Sequence, residues 1–376
     1  MKRTLLAACL ILLTAAVAVA YAAMVREREY RRLLTAGEAA SANGQSVVAI
    51  QAFSGALALK PESMAGFLRR GEEYRAHGDL GAALRDLERA HELSPTATRP
   101  LEQLGDVHHA MGRYAEAAER YAACAALDDR ASPILYKLAL ASYLNGDTER
   151  AVVSVRAALA LNERFAEGHY LLGLAHRAAG QRREARTALL RAVALAPALV
   201  PAREALAAVA RDLGRHEEAV GQHEALAALE PERVGRLLAL ARAQADASDL
   251  HRAVLTLGRA ADRFPDQLAV YTTLGEVWLR AAERSRDDAS LNKALEALRT
   301  ALVRGATGSR ELTLYGRALL LAGDNDAALR ALRDAARRQP VSPDTYALLA
   351  QAADRLGHAQ EARDARARHA ALSEAS

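Results

Sequence analysis

Proline recurs in this chain on a fixed interval. Pro61, Pro95, Pro197, Pro231 and Pro265 fall on one 34-residue grid, with Asp129 and Glu163 on the two points between. After a single shift of seven residues the grid resumes at Ala306 and Pro340. The frames so defined start near residues 30, 64, 98, 132, 166, 200, 234, 268, 309 and 343, the one at 268 carrying a 7-residue insertion. In every frame the eighth residue is Gly or Ala, and the twentieth is Ala, from Ala49 to Ala362. A glycine marks a turn between them in eight frames, among them Gly78, Gly112 and Gly146. Self-similarity at this period belongs to chains that stack one supersecondary unit repeatedly, because a single unit cannot bury its own apolar face.

Composition says which unit. Of 376 residues 90 are Ala and 46 Arg, against four Lys, while Gly and Pro together number 33. Such a chain is almost wholly helical. A glycine inside a helix costs about 0.8–1 kcal/mol relative to alanine, so six of them at the eighth position need a compensating gain. Two antiparallel helices provide it where they cross, since missing side chains let the backbones approach. Larger residues at the fourth, seventh and twenty-fourth positions, such as Leu101, Leu104 and Tyr121, fill the rest of the interface. The prolines end each second helix.

Period, small residues and prolines together resemble the tetratricopeptide repeat, most closely in Leu101-Glu102-Gln103-Leu104-Gly105, Tyr114-Ala115-Glu116-Ala117-Ala118 and Tyr121. Where that family favours Trp at the fourth position, this chain uses Leu, Phe, Tyr, His or Arg, and the frame with Arg203, Ala207 and His223 departs furthest. The resemblance implies an all-α, right-handed superhelical solenoid of about ten helix-turn-helix repeats over residues 30–376. The insertion around Arg286 to Asn292 equals about two helical turns, so the helices can lengthen there, with Ser285 to Ser290 as the expected protruding loop. At the C-terminus Arg366 and His369 replace apolar residues, as expected of a solvated cap.

Residues 1–29 stand apart. Lys2 and Arg3 precede an uncharged run from Thr4 to Val25, about 33 Å as a helix at ~1.5 Å per residue, against ~30 Å of hydrocarbon. The leading expectation is a single-pass membrane anchor through residues 4–25, in a bacterial inner membrane. A cleaved export signal is the alternative, with Ala18-Val19-Ala20 and Ala20-Tyr21-Ala22 as small-x-small sites. Lipidation at Cys9 is disfavoured by the four apolar residues before it, which leaves Cys9 lipid-facing. Arg26, Arg28, Arg31 and Arg32 favour a cytoplasmic array, whereas the cationic start favours export, and the expectation is an array on the periplasmic side.

The residues argue against catalysis. No phosphate-binding glycine loop or GxSxG elbow occurs. His216-Glu217 and His223-Glu224 begin like zinc-protease motifs but have Val220 and Ala227 in place of the second His. His108 and His109 are adjacent and point to different helix faces. Cys124 reads as a packing residue. Neither cofactor nor metal is expected, and the chain reads as no enzyme.

Arrays of the resembled family bind peptides or partner proteins in a concave groove lined by the first helix of each pair, at positions two, five, nine, twelve and thirteen. Here Glu38, Glu72 and Asp106 line the early frames, Tyr136, Leu140, Tyr143, Tyr170 and Leu174 the centre, and Arg177, Arg211, Arg242 and Arg317 follow. An apolar, tyrosine-bearing centre between acidic and basic sections suits a peptide. The alternative is that Tyr136 and Tyr170 merely pack between successive pairs. No Asn stands at the sixth position, which argues against a chaperone carboxylate clamp. The expected function is a membrane-tethered scaffold in a bacterial cell-envelope, secretion, pilus or polysaccharide system. Solenoid RNA binding is the alternative, permitted by a pI near 9.1 but opposed by the acids in the first third of the groove. A non-catalytic subunit of an enzyme complex is the third.

Overall fold

A computed structural model describes residues 2–128 and 130–374, with side chains from residue 12 onward. Among the described residues it has twenty α-helices and no strand. They fall into two compact units, Met1–Ala196 and Pro197–Ser376. The first contains α1 (Lys2–Ala42), α2 (Ser46–Leu59), α3 (Met64–His77), α4 (Leu80–Leu93), α5 (Thr98–Ala110), α6 (Tyr114–Leu127), α7 (Ser132–Leu144), α8 (Thr148–Leu161), α9 (Ala166–Ala178) and α10 (Arg182–Leu195). The second contains α11 (Val200–Asp212), α12 (His216–Leu229), α13 (Val234–Asp246), α14 (Leu250–Arg263), α15 (Leu268–Ser285), α16 (Asp288–Val303), α17 (Ser309–Leu321), α18 (Asn325–Ala336), α19 (Pro343–Arg355) and α20 (Ala359–Glu374). Within each unit consecutive helices pack as pairs, and each pair packs on the next.

The pairs close where the eighth residue lacks a side chain. A Cβ built on Gly37, Gly71, Gly105, Gly173, Gly275 or Gly316 would stand 2.4–2.8 Å from the side chain at the twenty-fourth position of the same frame. Those partners, Phe53, Leu87, Tyr121, Leu189, Leu298 and Leu332, are at most 2% exposed. The turn between the two helices needs left-handed backbone: Gly78 has φ 89°, and the two frames without a turn glycine put Ser248 at 67° and Arg286 at 54°. Asp79, Asp147, Asp249 and Asp324 follow directly and cap the second helices, each accepting from the backbone N–H three residues on.

Two expectations are corrected. Among the described residues no helix is long and apolar enough to cross a membrane, so the single-pass anchor through residues 4–25, and the location built on it, are not supported. Arg26, Glu27, Arg28 and Glu29 follow at once on the same unbroken helix, which continues to Ala42 as the first partner of α2. The side chain of Cys9, expected to face lipid, lies outside the described residues. The insertion also makes no protruding loop from Ser285 to Ser290. With 18 and 16 residues, α15 and α16 absorb it, against 13 and 14 in α13 and α14, and only Arg286 and Asp287 lie between them.

His108 on α5 is buried and its Nδ1 has no hydrogen-bond partner. Burial, then Arg120, holds its imidazole below the usual histidine range; Arg113 adds to this, and Glu116 and Glu88 oppose it. The unfolded chain therefore takes up this proton first, so stability rises with pH and is lost as pH falls below the free value of about 6.5. The melting temperature is expected to drop by a few degrees between neutral pH and the lower edge of that window, before the carboxylates titrate. A His108→Gln variant should show a flatter profile there; an unchanged slope would remove His108 as the cause.

Candidate partner-binding face

The central apolar residues come from two adjacent first helices. On α7, Tyr136, Leu140 and Tyr143 pack against Ala139, Val155, Leu159 and Leu171 while staying half-buried. The Tyr136 ring meets Phe165 edge-on, with centroids 4.9 Å apart at 66°. Burial, then Glu167 and Tyr170, pushes its phenol pKa up. On α9, Tyr170 and Leu174 are half-buried and Arg177 is exposed. Arg177 makes no ion pair among the described residues. Tyr136 thus packs against the next pair while remaining half-buried.

The acidic section is different in kind. Glu72 accepts from Arg99 Nε at 2.8 Å and from Arg69 at 3.2 Å, and Arg69 also reaches Glu38 at 3.2 Å. Asp106 accepts from Tyr121 Oη at 2.7 Å and from Lys137 Nζ at 2.8 Å, while the same ammonium donates to Glu102 at 2.7 Å. The acids are therefore joined to cations of neighbouring first helices. The second unit repeats the device: Arg236 donates to Glu204 at 2.6 Å, Arg280 to Asp246 at 2.5 Å, Arg310 to Glu276 at 2.6 Å and Arg317 to Glu283 at 2.6 Å. Sequence reasoning placed these acids along the groove and missed this ladder. Its signal was present: opposite charges recur 27 to 35 residues apart, so they meet on stacked first helices.

The repeat model for the tetratricopeptide repeat matches residues 34–98, and a second model of the same repeat matches residues 166–199. These two stretches are tetratricopeptide repeats (TPRs). A solved structure supports the fold. The C-terminal part of a TPR repeat-containing protein from Cytophaga hutchinsonii is 17% identical, covers 65% of this chain and 99% of its own, and has a TM-score of 0.56. A TPR protein from Parabacteroides merdae is 16% identical, covers 66% of this chain and 99% of its own, with a TM-score of 0.49. YrrB, described as a TPR protein with an unusual peptide-binding site, is 18% identical, covers 50% of this chain and 97% of its own, with a TM-score of 0.44. No curated protein matches the chain.

Proposed function

We propose that this chain is a non-catalytic TPR scaffold that holds an extended or helical segment of a partner protein on its first helices, with frames as defined by the 34-residue grid over residues 30–376. The observation that carries this is the interruption of the charge ladder: Tyr136, Leu140, Tyr143, Tyr170 and Leu174 form a half-exposed apolar strip on α7 and α9, with the free cation Arg177 beside it. Aromatic residues with one face packed and one face open lose little conformational entropy on binding, which suits them as anchors. Glu72 and Asp106 serve this reading as supports that hold successive first helices in register, and Arg177 as the charge that sets register and on-rate. The Ala- and Arg-rich, Lys-poor composition fits a GC-rich bacterial genome, and assembly of an envelope, secretion, pilus or polysaccharide system is the setting we favour.

The test is affinity capture with the full chain, comparing the natural sequence with a Tyr136→Ala, Tyr143→Ala, Tyr170→Ala variant. Anchors desolvated at the centre of an interface carry about 2 kcal/mol or more, so partners should be held about thirtyfold more weakly. Because Tyr136 and Tyr143 also pack inward, circular dichroism must first show unchanged helix content, and Leu174→Ala offers a milder variant. Retention of every partner by a folded triple variant would reject the strip as the site. Recovery of RNA in place of protein would reject the scaffold reading itself.

A further inference from the structure

A cavity of about 390 Å³ opens in the second unit among α11, α12, α13 and α15. Its origin is a departure from the repeat. At the twenty-fourth position, where other frames bring Leu87, Tyr121, Leu189 or Leu257 fully into the pair, the sixth frame has His223, which stays half-buried. Facing it are Ala207 and Ala239, so nothing large fills the space. The wall is rich in guanidinium groups: Arg211, Arg236, Arg242 and Arg280 stand against two carboxylates, Glu204 and Asp246.

The polar groups are of two sorts. Arg236, Arg242 and Arg280 are held in place, by Glu204, Glu276 and Asp246 respectively. Arg211 is 59% exposed and its ion pair is to its own neighbour, Asp212, at 3.5 Å. His216 and His223 each bury Nδ1 without a hydrogen-bond partner. A buried ring nitrogen without a partner is destabilising until something arrives to pair with it. Preset cations, one loosely held cation and two unsatisfied ring nitrogens around an empty cavity make an anion receptor.

We propose that this cavity is a second recognition site, which takes an acidic segment of a partner protein through its aspartate and glutamate carboxylates. Guanidinium forks match planar carboxylates in two-point contact. The row of cations continues on the next first helix through Arg310 and Arg317, so a chain with several carboxylates fits better than one small anion. The site lies wholly in the second unit and uses none of the tyrosines of the first, so each site is tested independently of the other.

His223 supplies a distinctive readout. Burial, then Arg236 and Arg211, keeps its imidazole neutral at ordinary pH, with Glu204 opposing; His216 on its own helix and Arg242, Asp246 and Arg280 complete the surroundings. A carboxylate seated here favours the protonated ring, so binding takes up a proton and tightens as pH falls below neutral.

The experiment measures fluorescence anisotropy of a labelled decapeptide of alternating Asp and Glu with the full-length protein, with inorganic phosphate and single-stranded oligo-U as competitors. Arg211→Gln, at an exposed position, should weaken binding about tenfold. His223→Leu, which installs the residue type of the other frames, should weaken it similarly and abolish the pH dependence. Arg330→Gln, the same charge change at an exposed position on α18, should leave it unaltered. The proposal fails if Arg330→Gln weakens binding as much as Arg211→Gln, if the pH dependence survives in His223→Leu, or if phosphate displaces the peptide at equal charge. Tighter binding of oligo-U with the same dependence on Arg211 would reassign the cavity to nucleic acid.

Discussion

Replacing Gly105 with leucine is expected to destabilise the first unit by about 3 kcal/mol or more, at the top of the usual range for overpacking. A Cβ at Gly105 would stand 2.4 Å from Cε1 of Tyr121. That ring is 2% exposed, and its hydroxyl donates to Asp106 at 2.7 Å. It cannot retreat without breaking the bond, so the strain passes to the backbone of α5 and α6. Ala117→Leu on α6, at a residue with no exposure, should be similarly costly. Ala126→Leu on the same helix is exposed and should change stability by less than about 0.5 kcal/mol. Urea unfolding followed by circular dichroism measures all three, and equal midpoints would show that the frame is misassigned.

Asp106→Ala is expected to lower stability by about 2–3 kcal/mol, although Asp106 stands in the row that the repeat pattern assigns to ligand contact. Its carboxylate is the acceptor for two groups at once, the Tyr121 hydroxyl and the Lys137 ammonium. Burial first, and the bond to Asp106 second, drive the Tyr121 pKa upward, so the phenol stays a neutral donor and would be left with no acceptor. Lys137 keeps Glu102 and is partly exposed, which limits its share of the loss. Glu38→Ala removes a carboxylate from the same row, but the pair it breaks with Arg69 is 50% and 39% exposed on its two sides, and less than about 1 kcal/mol should follow. If Asp106→Ala were as mild as Glu38→Ala, Asp106 would be a surface acid free for a partner.

The helix pairs were legible because their cause is local and repeated. A small eighth residue, an alanine at the twentieth and, in eight of the ten frames, a large apolar twenty-fourth residue are one repeated packing solution, and phase carries across the frames with His223 and Arg366. The apolar strip on α7 and α9 was legible for the same reason, since position in the frame sets the face of the helix. The N-terminal run misled because hydropathy alone does not say how far a helix continues; α1 carries its charges onward to Ala42 and into the packing against α2.

Sequence alone determined the period, the helical unit, the place of each closest approach and the turns between helices. These depend on contacts within one frame of 34 residues, where spacing fixes geometry. Only the tertiary structure decided what the charges do. Glu72 and Asp106 are bound by cations on neighbouring first helices, and the cavity beside His223 exists because α11, α12, α13 and α15 surround a space that no one of them defines. The energy of a charge depends on everything within several ångströms of it, whichever part of the chain supplies it, and local periodicity does not encode that neighbourhood.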